Sequence, residues 1–171
     1  MRRRLFVAAI VVQAAVLVGW ATSLEMARAR SGTVRLEVAQ RDPRDLLRGD
    51  FVLLNYKVSD IPFSAFVSPP SRARPGDRVY VALAPKGAVH EAAAASLSRE
   101  ALPLPPGHRL LVGTLQFSNP RGMHVLYGIE RYYVREGKGN PPQGKIEAEV
   151  ALTGDGHPFL TRLFVDGRPY P

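Results

Sequence analysis

The chain has 171 residues, 46% of them hydrophobic and 22% charged, which suits one modest domain plus whatever its N-terminus is. It has no cysteine, which excludes a disulfide framework, a thiolate metal site, a cysteine nucleophile and a lipid-modified anchor. The net charge of +8 comes mainly from arginines scattered along the chain, with no dense run beyond Arg2–Arg4 and no aromatic RNA-binding motif, so nucleic acid is not an expected partner.

The first element is Leu5–Leu24, almost wholly apolar and interrupted only by Gln13, Thr22 and Ser23. As a helix it would be about 30 Å long, the thickness of a hydrocarbon core, so it predicts one membrane-spanning segment. Trp20 stands near one end, where interfacial aromatics belong, and Arg2, Arg3 and Arg4 keep the short N-terminus in the cytoplasm. Arg28 and Arg30 weaken that charge bias without reversing it. A cleaved signal peptide is the rival, but signal cores run about 7–15 residues and Ala27-Arg28-Ala29 is a poor cleavage site. The expectation is a single-pass protein of the inner (cytoplasmic) membrane, its partner the lipid bilayer through Leu5–Leu24. Residues 1–31 are anchor and linker, and 32–171 a β-rich domain facing the periplasm or exterior.

After Gly32, Thr33–Ala39 alternates, with Val34, Leu36 and Val38 against Thr33, Arg35 and Glu37, and predicts a strand with one wet face. Asp42-Pro43 starts a turn, and Pro43–Leu47 suits a single helical turn. Gly49 gives backbone freedom before Phe51–Val58, a predicted central strand with Val52, Leu54, Tyr56 and Val58 on one face. Asp60–Asp77 reads as an exposed loop pinned by Phe63 and Phe66. Arg78–Ala84 is a strand facing inward through Val79, Val81 and Leu83, and Pro85-Lys86-Gly87 a turn. Ala88–Leu97 is assigned to strand, against the helix propensity of its alanines, and Pro103, Pro105 and Pro106 forbid regular structure up to Gly107. Arg109–Phe117 and Met123–Val134 flank the hairpin turn Asn119-Pro120-Arg121-Gly122, with Met123–Val134 expected as a second central strand. Glu136–Gly144 is loop. Lys145–Leu152 and Phe159–Val165 flank a second hairpin at Gly154–His157, and Asp166-Gly167 begins a final turn. The fold class is therefore all-β: a single antiparallel β-sandwich or partly open β-barrel behind one N-terminal transmembrane helix.

Gly49-Asp50-Phe51-Val52-Leu53-Leu54-Asn55-Tyr56 resembles the signature of the GDYXXLXY family, with Phe51 in place of the first tyrosine. Asp42–Leu46, Tyr127–Gly137 and Asp166-Gly167 are similar to further parts of the family's pattern. The resemblance spans most of residues 33–167. It implies a bacterial protein with an N-terminal membrane anchor, and implies no particular reaction. Arg48–Val52 after an anchor is also similar to a block of type I signal peptidases. Their Ser–Lys dyad has no counterpart here, because Ser31 precedes Gly32 and none of Lys57, Lys86, Lys138 and Lys145 is in matching context.

The candidate functional residues are Asp42, Arg44, Asp45, Arg48, Gly49, Asp50, Tyr56, Tyr127, Glu130, Arg131 and Glu136. Convergence of Asp45, Asp50 and Glu130 could raise one carboxyl pKa and make an acid/base pair for hydrolysis. The favoured alternative is structural, with Asp42 capping its turn and Asp50 paired with Arg44, Arg48 or Arg131. His90, His108, His124 and His157 are too dispersed for a metal motif, and Gly-x-Ser-x-Gly is missing, so no metal or cofactor is expected. Arg48-Gly49-Asp50 runs straight into an apolar strand, unlike an integrin-binding loop tip. The tyrosines could line a groove, though sheet tyrosines more often pack with a wet hydroxyl. The resulting expectation is a binding or assembly module beside another membrane protein, with a carboxylate hydrolase as the alternative.

Overall fold

The structure, a computed structural model, describes residues 6, 10–20, 22, 32–39, 51–133 and 144–170, with Phe51 and Val52 described by backbone alone. Residues 10–20 form a helix, α1, to which 6 and 22 also conform, and Thr22 Oγ1 donates to the carbonyls of Val18 and Gly19, both at 2.9 Å. Every described side chain of α1 is exposed. No helix among the described residues is long and apolar enough to cross a membrane; the remainder of Leu5–Leu24 lies outside them.

The strands are β1 (Gly32–Glu37), β2 (Phe51–Leu53), β3 (Asp60–Pro62), β4 (Arg78–Lys86), β5 (Val89–Ser96), β6 (Arg109–Asn119), β7 (Gly122–Leu126), β8 (Arg131–Tyr133), β9 (Ile146–Leu152), β10 (Pro158–Val165) and β11 (Arg168–Tyr170). They pair antiparallel throughout, in a five-stranded sheet β3-β7-β6-β4-β5, a four-stranded sheet β1-β9-β10-β11 and a two-stranded ribbon β2-β8. The antiparallel all-β class is as expected. Alternation explains the layers: Val34, Leu36, Val79, Val81, Leu83, Leu111, Ala148, Val150 and Leu163 all point into one shared core. On the other face of β4 and β6, Ala82, Leu110 and Val112 make a smaller cluster capped by Leu102 from the proline-rich loop.

Several strands fall where the pattern places them. The alanine-rich stretch is β5, because a tight turn folds it back onto β4, and Ala95 is fully buried. β4 runs two residues past its predicted end: β6 pairs with it only as far as Leu83, so Pro85 removes no hydrogen bond that β6 would need. The Asp166-Gly167 turn has positive φ at both residues, 49° and 78°, the requirement of a tight two-residue hairpin, and it generates β11, which the sequence reading lacked.

Both predicted central strands are corrected. Phe51–Val58 is not one strand: β2 stops at Leu53, and Lys57–Ser59 is a 3-10 turn. The backbone groups in between find partners on different segments. Leu54 N–H donates to the Glu130 carbonyl at 2.7 Å, and Asn55 C=O accepts from Ala39 N–H at 2.6 Å. The side-chain alternation nevertheless holds, with Leu54, Tyr56 and Val58 buried. Met123–Val134 breaks into β7 and β8 at Gly128, whose φ of +79° no strand residue adopts. Among the described residues β2 and β8 pair with each other, as a ribbon apart from the two larger sheets. Of the two predicted anchors in the loop after β3, Phe66 is buried and bridges Ala95, whereas Phe63 is exposed.

Candidate functional site

The interrupted strands create a seam in which two segments are tied together by side chain-to-backbone bonds. Residues 54–60 lie against residues 124–130, and each segment satisfies the other's backbone. Tyr56 is completely buried and its hydroxyl donates to Ile129 C=O at 2.7 Å. Tyr127, 6% exposed, donates its hydroxyl to Val58 C=O at 2.6 Å. Glu130 closes the loop that Gly128 opens, its Oε1 accepting from Tyr127 N–H while its carbonyl accepts from Leu54 N–H.

Electrostatics keep both hydroxyls protonated. Burial pushes the Tyr56 phenol far above its ordinary value, and the charge of Glu130 raises it further. Tyr127 is raised for the same two reasons, with Asp60 adding to the effect. These tyrosines are hydrogen-bond donors that fix backbone, not nucleophiles or bases. At the end of this seam, Asp60 and His124 sit directly opposite on β3 and β7, with Oδ1 and Nδ1 2.6 Å apart. Phe117 stacks on the His124 ring at 4.9 Å and 10°. Among the described residues, no group of three or more His, Asp or Glu could hold a metal ion.

An open cleft of about 450 Å³ runs along the outside of this seam, lined by Arg78, Gly113, Thr114, Tyr127, Gly128, Glu130 and His157 among others. Arg78 and Thr114 are direct cross-strand partners on β4 and β6, and Leu126 faces Thr114 from β7. His157 enters from the β9–β10 turn, held by its N–H to Thr153 Oγ1 at 2.9 Å and with Nε2 3.6 Å from Asp155 Oδ2. The Thr153 hydroxyl bond holds the Asp155 carboxyl below its usual range. Gly113 is required by packing, since a Cβ would lie 2.5 Å from Val125 Cγ1 and 2.7 Å from the Tyr127 ring.

A family model described as GDYXXLXY protein matches residues 13–163. The chain belongs to the GDYXXLXY family. Searches of curated proteins and of solved structures returned no match. In the GDYXXLXY signature as it stands in this chain, the leucine and final tyrosine are Leu54 and Tyr56, both buried in the seam. The end of the GDYXXLXY signature thus specifies core and backbone anchoring.

Of the candidate residues read from the sequence, Tyr56, Tyr127 and Glu130 come together, and Arg131 follows as the exposed first residue of β8, opposite Leu53. Asp42, Arg44, Asp45, Arg48, Gly49, Asp50 and Glu136 lie outside the described residues. Arg78, Thr114 and His157 of the cleft, and the Asp60–His124 pair, went unread. Only strand register brings them together, and register is not written in local spacing.

Proposed function

We propose that this GDYXXLXY protein is a membrane-tethered, extracytoplasmic β-domain that acts as a binding or assembly module beside another membrane protein. The observation that carries the reading is α1. Ile10, Val12, Val16, Leu17 and Val18 are each more than half exposed, with values of 51–64%, so these apolar side chains, spread around the helix, are not buried against the described residues of the β-domain. A helix apolar all round is stabilised only by surroundings as apolar as itself, and a bilayer supplies them. Arg2–Arg4 ahead of it favour a cytoplasmic N-terminus, which directs the β-domain outward.

The non-enzymatic reading is supported by where the polar groups of the seam are spent. The hydroxyls of Tyr56 and Tyr127 and one oxygen of Glu130 all satisfy backbone. The rival is a hydrolase using Asp45, Asp50 and Glu130. Two experiments test these readings. A C-terminal alkaline phosphatase fusion should be active in cells and a cytoplasmic reporter at the same position inactive; the reverse overturns the topology. Crosslinking and pull-down from the native membrane should recover a membrane protein, with recovery unchanged by Asp50→Asn. An Asp50→Asn variant that melts like the parent yet loses function puts the hydrolase first.

A further inference from the structure

The cleft outside the seam carries opposite charges that do not neutralise one another. Arg78 and Glu130 line it together, yet form no ion pair with each other, and no described carboxylate pairs with Arg78. Glu130 commits Oε1 to Tyr127 N–H, whereas Oε2 takes no hydrogen bond from a described residue and is not enclosed. The Thr114 hydroxyl and the His157 ring add further polar groups to the lining. Between the poles the wall is open: nothing lies within 4 Å of where a Gly128 Cβ would be. The volume of about 450 Å³ falls in the range of small-ligand sites, about 300–1,000 Å³.

A lone anion would gain Arg78 but meet Glu130, and a lone cation would meet the reverse. A molecule carrying both signs gains at each end. We propose that this cleft binds a small zwitterion with one carboxylate and one ammonium group, the carboxylate on Arg78 and the ammonium on Glu130. The guanidinium fork grips a carboxylate through two parallel hydrogen bonds, and an ammonium offers Glu130 Oε2 a charge-assisted donor. The inference stands apart from the membrane-module reading, because nothing in it depends on topology or on a protein partner.

The test uses the full chain in detergent micelles and a ladder of ω-amino acids: glycine, β-alanine, 4-aminobutanoate and 6-aminohexanoate. Amide shifts of Gly113, Thr114 and Gly128 report occupancy, and the length that binds best measures the distance between the poles. One member should saturate, and bind at least about tenfold tighter than the matched carboxylate without its ammonium or the matched amine without its carboxylate. Arg78→Gln should weaken that member about tenfold with unchanged circular dichroism. If the variant misfolds, the parent ladder and its matched controls still decide. Equal binding of the plain carboxylate, or no saturable shift with any member, overturns the proposal.

Discussion

Tyr56 and Tyr127 hold each other's segments by reciprocal hydrogen bonds. Tyr56 donates to the carbonyl two residues after Tyr127, and Tyr127 donates to the carbonyl two residues after Tyr56. Each bond satisfies a carbonyl in a stretch with no strand partner of its own. Tyr56→Phe and Tyr127→Phe should each lower stability by about 1–3 kcal/mol, the cost of stranding a buried acceptor. Urea unfolding of the two single variants and the double variant measures it, and the double should depart from additivity because both bonds fasten the same two segments.

The same tyrosines set the alkaline limit of stability. Their folded pKa values lie above the unfolded value, with burial the first cause and Glu130 the second. Their contribution is therefore intact below about pH 10 and is lost as pH rises above it, when only the unfolded chain releases the protons. The unfolding midpoint should fall steeply as pH rises above about 10. Tyr56→Phe should make that fall shallower, and an identical slope in parent and variant would contradict the assignment.

On the acid side the relevant group is His90. Burial lowers its pKa, a hydrogen bond with the Arg35 backbone opposes the shift, and nearby Arg109 adds to it. Its Nδ1 is buried with no partner, so an added proton there would have no acceptor. Because the unfolded chain takes up the proton first, stability should decline as pH drops through about 6.5. His90→Gln should lessen the decline between pH 8 and pH 5, read from thermal midpoints at each pH.

Gly122 opens β7 where it passes β3. A Cβ there would fall on the carbonyl oxygen of Ile61, which is backbone and cannot rotate away. Gly122→Ala should cost about 1–3 kcal/mol or more and expose the amides of β3 to hydrogen exchange. Gly154→Ala is the control: nothing lies within 4 Å of its Cβ position, and its effect should stay within about 0.5 kcal/mol.

Side-chain alternation was the most readable feature of this chain. It placed Leu54, Tyr56 and Val58 on a buried face even though they belong to no single strand, because alternation records burial and not pairing. What it could not show was where a backbone changes partners. Leu54 bonds Glu130 while Asn55 and Tyr56 turn to Val38 and Ala39, and that depends on residues distant in sequence. Gly128 was the readable clue to the break before β8, a glycine inside an apparent strand. Glu130 was picked out for its charge, and its position here is that of a brace. Arg78 and Thr114 gave no signal at all, since their meeting is a matter of register between β4 and β6.

β1 pairs with β9, Gly32 opposite Leu152. During synthesis at about 5–20 residues per second, the first strand of the domain therefore waits on the order of ten seconds for a partner. Throughout that interval Val34 and Leu36 are an unmatched sticky edge, whereas strands β4–β7 can already close upon one another. Chains cut short before Ile146 would not yield a smaller version of the domain. They would carry a permanently open seam, ready to join with a strand from any neighbouring polypeptide.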